Sequence, residues 1–328
     1  MTQAERAAAP TLSIITVSWN HRDEIAEYLR HVEAARAKCK FPIEMVLVDN
    51  ASADATAELV KRDFPWVTLI ENEKNEGFAV GCNIGLERAA SDYLFLLNPD
   101  AYADAPALEA MIEYLQSHRD VGAVGCTLLH EDGQPQISAY PEMGPLSYAM
   151  NQSMFYPIRE KLRKFFMRIG FRHRHPYECG WLQGSCILVP RAVYEKVGGL
   201  EASYFMYCED TDWSQRIWKA GFKNVELPNV SMLHRQKGSS RRAPEYTFRR
   251  VYRSVVLYAN IHITGARRDM MDRVMLADMR LRIPVYTLVG ILKPSRKPAI
   301  KDRIASVRQL IKIIKARDPD LFEDPPPG

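Results

Sequence analysis

The sequence predicts an α/β fold built on a mainly parallel sheet, and three features carry that reading. Short apolar runs rich in β-branched or aromatic residues alternate with stretches of helical apolar spacing, and polar residues cluster at the ends of the runs. Residues 12–19 (LSIITVSW), 43–48 (IEMVLV), 67–71 and 93–97 (YLFLL) read as buried strands. Between them, residues 23–37, 54–62 and 78–90 place apolar side chains on one helical face, with Asp54 at an N-cap position. Strands and helices in alternation wind a parallel sheet through right-handed crossovers, and ligands of such sheets sit beyond the C-terminal strand ends. Ser18 and Asn20, Asp49 and Asn50, and Asn98 and Asp100 follow the first, second and fourth runs.

A helix over residues 105–117 and a strand over 121–129 come next, then a hairpin turn at Glu131-Asp132-Gly133. Residues 140–178 show no clear period and hold a basic, aromatic stretch at 156–175. Residues 181–189 read as one strand, 191–197 as a short helix, and 210–220 as a longer helix closed by Gly221. From Pro244 the pattern is helical. Residues 285–292 are too short a run to span a bilayer, and Pro284 before them breaks any longer run.

With 328 residues, 47% hydrophobic content and 26% charge, the composition is that of a folded chain rather than a disordered one. The six cysteines lie far apart, with neither CxxC nor zinc-site spacing, and read as reduced thiols. The N-terminus (MTQAERAAAP) has no basic region followed by an apolar stretch, so a cytoplasmic location is expected. The net charge of +4 is unevenly spread: residues 1–234 hold 23 basic and 31 acidic side chains, whereas residues 235–317 hold 21 and 5. An acidic body with a basic C-terminal region suggests a second surface that meets anionic lipid or another polyanion. No aromatic stacking platform accompanies the charge, so nucleic acid is not an expected partner.

Neither GxGxxG nor GxxxxGK[ST] follows the first strand, which excludes a dinucleotide fingerprint and a P-loop. Asp49, at the end of a buried strand, can accept from a base imide or a ribose hydroxyl. Asn75-Glu76-Gly77-Phe78 and Asn83-Ile84-Gly85 pair glycines that allow close backbone approach with amides that can contact a base or sugar. Asn98-Pro99-Asp100 puts a carboxylate at the mouth of the sheet, where a hard divalent cation would bridge it to phosphate oxygens. His234 is the best second protein ligand, and a structural histidine is the competing reading. Glu209-Asp210-Thr211-Asp212 opens a helix, whose dipole favours carboxylates, and can also present a general base to an acceptor hydroxyl.

Taken in order, VSWN (17–20), VDNASAD (48–54), NEGFAVGCNIG (75–85), LLNPDA (96–101), WLQGSCILVPR (181–191), EDTDWSQR (209–216) and HRQKGSS (234–240) resemble the successive motifs of glycosyltransferase family 2. The resemblance covers residues 11 to about 240. It implies a GT-A fold, Rossmann-like with a mainly parallel central sheet, followed by a helical C-terminal extension. It also implies a nucleotide diphosphate sugar donor and inversion at the anomeric carbon. NEGFAVGCNIG with LLNPDA is similar to rhamnosyltransferases of O-antigen and cell-wall polysaccharide assembly, which implies dTDP-rhamnose and a glycan or lipid-linked saccharide acceptor.

By the same resemblance Asp49 would read the base, with Val17, Ser18, Asn20, Asn75, Gly77, Phe78, Asn83 and Asn98 lining the donor pocket. Asp100 and His234 would approach Mn²⁺ or Mg²⁺, with Asp100 standing alone where two aspartates would form the fuller motif. Asp210 matches the catalytic base, and Glu209 would orient the acceptor or help hold the base. Trp181, Gly184 and Asp212 would shape the acceptor site, and Arg241 or Arg242 would contact the diphosphate. These assignments divide the chain into a catalytic domain, 1–240, and a basic helical region, 241–328. Within the former, residues 11–129 form the nucleotide-sugar half and 130–240 the acceptor half.

Residues 156–175 interleave seven Lys/Arg with Phe165, Phe166, Ile169 and Phe171, a pattern suited to a membrane surface or to an ordinary packing helix. Ile300, Ile304, Val307, Ile311 and Ile314 recur at helical spacing, so residues 301–315 should form an amphipathic helix with a cationic face. Peripheral docking on the inner face of the plasma membrane, or packing in a homodimer, would each explain it. The competing functional readings are transfer from a UDP- or GDP-sugar, and a catalytically silent sugar-nucleotide-binding subunit.

Overall fold

The computed structural model describes residues 10–168, 173–235 and 244–321. In chain order these form β1 (Leu12–Ser18), α1 (Arg22–Lys38), β2 (Ile43–Asp49), α2 (Thr56–Asp63), β3 (Thr68–Glu71), α3 (Phe78–Arg88), β4 (Tyr93–Leu97) and β5 (Ala101–Tyr102). Next come α4 (Ala105–Ser117), β6 (Val121–Leu129), β7 (Ala139–Tyr140), α5 (Pro145–Asn151), α6 (Tyr156–Arg168), β8 (Tyr177–Cys179), β9 (Trp181–Leu182) and β10 (Cys186–Pro190). The rest is α7 (Arg191–Val197), α8 (Glu209–Lys219), β11 (Lys223–His234), α9 (Pro244–His262), α10 (Gly265–Leu292) and α11 (Lys297–Ala316).

The described residues fall into two units, one taking 10–141, 173–205 and 209–235, the other 142–168, 206–208 and 244–321. In the first, the sheet runs β3-β2-β1-β4-β10-β6-β11-β5, with β8 on β11. β3, β2, β1 and β4 are mutually parallel, as their near-continuous apolar sequences predict. β10 then enters antiparallel to both β4 and β6, and β11 runs parallel to β6. The core beneath the sheet joins Leu12, Ile14, Met45, Leu47 and Phe95 to Leu29 and Val32 of α1 and to Leu108 and Ile112 of α4. Burying such side chains stabilises the unit by roughly 1.5–3 kcal/mol each.

Several sequence expectations are corrected. Residues 181–189 are two strands, because Gln183-Gly184-Ser185 turns between β9 and β10, with the Cys186 N–H donating to the Gln183 carbonyl at 3.1 Å. Residues 140–178 contain α5, α6 and β8. Asp54 does not sit at the N-cap of α2, a place taken by Ala55 in the left-handed region. Its carboxylate instead accepts from the N–H groups of Thr56 and Arg22, joining two loops. Pro284, which bounds the apolar run 285–292, lies inside α10, a helix that continues through it. It is on the exposed side, where the carbonyl freed by its missing N–H can be hydrated.

The second unit is helical. Its interior carries a polar network in which Asp278 accepts from the Tyr148 hydroxyl and the Met154 N–H while pairing with Arg282 at 3.0 Å. No helix among the described residues is long and apolar enough to cross a membrane.

Candidate active site

β1 and β2 end level, Ser18 beside Asp49. Beyond them Asn20, at φ 56°, donates its N–H to Ser52 Oγ at 2.8 Å and accepts the Ala53 N–H on Oδ1 at 2.8 Å, which locks the two loops together. Asp49 is 3% exposed: Oδ2 accepts the Ser52 N–H at 2.9 Å, and Oδ1 is buried with no hydrogen-bond partner among the described residues. Burial pushes its carboxyl above the usual range despite the Ser52 bonds. A buried acceptor of this kind is what an imide N–H or a ribose hydroxyl would satisfy.

Asn50 is the hub of the neighbouring loop. Its amide donates to Asn75 Oδ1 at 2.9 Å and to the Gly77 carbonyl at 3.0 Å, and its oxygen accepts from Asn72 Nδ2 and the Glu76 N–H. Asn75 is thus held within this network. Gly77 has φ +86°, and a Cβ there would lie 2.4 Å from the Phe205 carbonyl oxygen, so only glycine fits. That carbonyl accepts the Phe78 N–H at 2.7 Å. Val17 packs against α3 at Gly81. Asn83 donates to the Leu200 carbonyl and accepts its N–H, at 2.8 and 2.7 Å, so its contacts are those of a strut.

Asp100 immediately precedes β5, which pairs with the end of β11 and so sets it beside His234. The Asp100 Oδ1 to His234 Nε2 distance is 3.3 Å, and both side chains are buried. Burial alone would raise the Asp100 carboxyl, but His234, with His21 adding to the effect, holds it below the usual range. Gln136 donates its amide N–H to the His234 carbonyl at 2.5 Å, so its oxygen faces Nδ1 at 2.8 Å. Nδ1 therefore carries a proton, and Nε2 is the nitrogen left to Asp100 or to a cation. Among the described residues no group of three or more His, Cys, Asp and Glu side chains could hold a metal. Asp100 and His234 supply an oxygen and a nitrogen donor, a pair that fits a divalent ion whose other ligands are phosphate and water.

The turn between β9 and β10 draws the remaining parts together. The Ser185 carbonyl accepts the Asn98 N–H at 3.2 Å, and the Gly184 N–H donates to Asp210 Oδ2 at 2.8 Å. A Cβ at Gly184 would lie 3.3 Å from Asp210 Cβ and 3.5 Å from the Phe78 ring, so the turn is fitted against both. The two carboxylates that open α8 are unequal. Asp210 accepts from Gly184 N–H, Thr211 N–H and Thr211 Oγ, whereas Glu209 Oε2 is buried without a partner among the described residues. Burial raises both above the usual carboxylate range, Glu209 strongly, with the Asp210 charge adding to its rise. The donors favour charge on Asp210, so Glu209 is the one that retains a proton.

Trp181 stacks on Tyr140, ring centroids 4.0 Å apart and planes 7° from parallel. Asp212, grouped by sequence with the acceptor site, is 1% exposed and bonds Arg216 Nε at 2.7 Å, and Arg216 in turn holds the Val197 and Gly199 carbonyls. Arg241 and Arg242 lie outside the described residues, as do positions 236–240 of the last motif. Sequence reasoning missed Gln136, His21 and the Tyr140 partner of Trp181.

Residues 13–197, more than half of the chain, match Glycosyl transferase family 2. An N-acetylglucosaminyl-diphospho-decaprenol L-rhamnosyltransferase of Mycobacterium tuberculosis is 26% identical over 248 residues, which cover 71% of this chain and 78% of the relative. Rhamnosyltransferase WbbL of Escherichia coli is 25% identical over 235 residues, covering 67% and 82%. Among solved structures, mannosyltransferase PcManGT from Pyrobaculum calidifontis, in complex with GDP-Man and Mn²⁺, aligns with a TM-score of 0.56 at 17% identity over 95% of this chain and 88% of that one. That likeness speaks for the fold, which is GT-A. The matched span contains Asp49, the loop at Asn75–Phe78, Asp100 and the turn at Gly184, and the chain belongs to glycosyl transferase family 2.

Proposed function

We propose that the chain is an inverting rhamnosyltransferase that moves L-rhamnose from dTDP-rhamnose to a lipid-linked or other saccharide acceptor. The observation that carries the reading is the turn at Gly184-Ser185, whose backbone bonds both Asp210 and the loop that holds Asp100. One cleft would thereby contain a base for the acceptor and a carboxylate for the diphosphate end. Similarity to two rhamnosyltransferases supports the choice of sugar.

In this reading Asp49 Oδ1 accepts from the thymine imide or the ribose, and the backbone of Asn75–Phe78 closes on the nucleoside. Asp100 and His234 would hold a divalent ion, which when bound would neutralise charge on the departing diphosphate. Gln136 keeps His234 in the orientation this needs. Asp210 takes the proton of the acceptor hydroxyl as that oxygen bonds the anomeric carbon from the face opposite the diphosphate. The sugar–phosphate C–O bond breaks in the same displacement, so no covalent sugar–enzyme species forms and configuration inverts. Glu209, neutral, can donate to an acceptor oxygen, and Trp181 offers a ring face to a sugar.

A peripheral place on the cytoplasmic membrane face agrees with α6, where exposed Ile158 and Leu162 alternate with Arg159 and Lys161. The test is turnover with dTDP-rhamnose, UDP- and GDP-sugars, each with and without Mn²⁺. Nucleoside diphosphate release with dTDP-rhamnose above the other donors is expected, and preference for a different base or sugar would overturn the donor assignment.

A further inference from the structure

Within the helical unit, α10 and α11 form an antiparallel hairpin. Its open end is pinned by Arg317, which bonds Asp269 at 2.6 Å and Asp272 at 2.7 Å, and by the Asn260 amide on the Arg317 carbonyl. Arg303 meets Glu245 of α9 at 2.5 Å and lies over the Phe248 ring, so α9 supports the hairpin as far as residue 303. Past that point, among the described residues, neither helix buries a side chain. The last buried residue of α10 is Arg282 and the first of α11 is Ser306. Ten residues of helix between Arg282 and the end of α10 reach about 15 Å.

The tip of this finger is apolar. Leu288, Ile291 and Leu292 are 55%, 69% and 70% exposed, and they share the face of the last two turns. Single exposed aliphatics are ordinary, but three on a projecting helix end form a surface that water disfavours. Immediately beyond lie Lys293, Arg296, Lys297 and Lys301, all exposed, and no Asp or Glu occurs from Met279 to Lys301. Among the described residues none of these four cations has a carboxylate partner. An apolar wedge ringed by unpaired cations is complementary to one kind of surface, an acyl layer under anionic headgroups.

We infer that the α10–α11 tip is a membrane-inserting element, with Leu288, Ile291 and Leu292 entering the acyl boundary and Lys293, Arg296, Lys297 and Lys301 contacting anionic headgroups. The inference rests on the membrane-surface reading given above and adds a second anchor to α6. Two anchors hold a protein to a bilayer far more firmly than one, because the second binds at high local concentration. A second copy of this chain docked tip to tip, the competing occupant, would set the same four cations against their own copies.

The test is flotation of the full-length protein with vesicles of equal parts phosphatidylcholine and phosphatidylglycerol, against vesicles of phosphatidylcholine alone. Three variants are compared with the unaltered chain: Leu288→Ser/Ile291→Ser/Leu292→Ser, Lys293→Glu/Arg296→Glu/Lys297→Glu, and Ile158→Ser/Leu162→Ser on α6. Because the tip residues are exposed, thermal unfolding should be unchanged in the first two. The serine variant should bind anionic vesicles at least about tenfold more weakly at any ionic strength, and the glutamate variant should lose binding most at low salt. Unaltered binding by both tip variants, with loss in the α6 variant, would overturn the inference while leaving the membrane reading intact. Failure of the unaltered protein to float would overturn both. A salt-independent dimer in solution that the serine substitutions dissociate, without vesicle binding, would assign the tip to a second copy instead.

Discussion

Replacing Asp210 by Asn should abolish transfer while leaving the protein folded and able to bind nucleotide. Asparagine keeps the side-chain shape, and its oxygen can still accept one of the two backbone N–H groups now 2.8 and 2.7 Å from the carboxylate, those of Gly184 and Thr211. The other then faces an amide NH₂, a lost hydrogen bond worth about 1 kcal/mol. Against that loss, a carboxylate whose charge is disfavoured by burial becomes a neutral group. The two effects oppose each other, and Tm should stay within about 4 °C. Catalysis has no such offset, because an amide cannot take up the acceptor proton. Loss of a general base costs about 10²–10⁴ in kcat, or roughly 3–5 kcal/mol of barrier. The assay is nucleoside diphosphate release at saturating donor and acceptor, with titration calorimetry of the nucleotide alongside. A kcat within about tenfold of the unaltered enzyme would remove Asp210 from the mechanism.

Gln136→Leu should weaken activation by Mn²⁺ about 10–100-fold, with activity recovered at excess metal, and an unchanged activation curve would deny Gln136 its orienting role. Asp49→Ala deletes the buried acceptor and should raise the Kd for dTDP about 10–100-fold, and an equal Kd by calorimetry would place the base elsewhere. Glu209→Gln should stabilise the fold at neutral pH by about 1 kcal/mol. Burial, then the Asp210 charge, raises the Glu209 carboxyl, so its stability contribution is intact below the unfolded-state value and is lost as pH rises toward the folded one. The Tm advantage of the glutamine variant should therefore vanish near pH ~4 and grow toward pH ~7, and a constant difference would contradict the burial argument.

The parallel half of the sheet was legible because its strands are buried on both faces: β1, β2 and β4 are almost wholly buried, so their sequences are near-continuous apolar runs. The antiparallel entry of β10 was not, since CILVP carries no mark of strand direction and its partners lie about 60 and 90 residues earlier in the chain. The turn at Gly184 was marked only by Gln183-Gly184-Ser185 between two apolar strand segments, too short a signal to split one strand into two. What gives the turn its meaning is an N–H directed at Asp210, 26 residues later, which local sequence does not show. Pro284 shows the converse, a strong local signal that the surrounding helix overrides because the residue faces outward.

The acidic group that opens α8 shows how far sequence could take the site. Successive helical residues turn by about 100°, so Asp210 and Asp212 point about 200° apart and cannot both face one acceptor. The signal that Asp212 belongs to the interior was present in the sequence as Arg216, four residues on, which it bonds. Choosing between Glu209 and Asp210 required more, because adjacent carboxylates at a helix start look alike on paper. The difference lies in three donors, one of them from a turn remote in sequence, that favour charge on Asp210, and in their absence at Glu209 Oε2. On the proposed mechanism the base would be selected by where neighbouring N–H groups point, and a substitution at Gly184 that re-aims its N–H would change the chemistry without touching a charged residue.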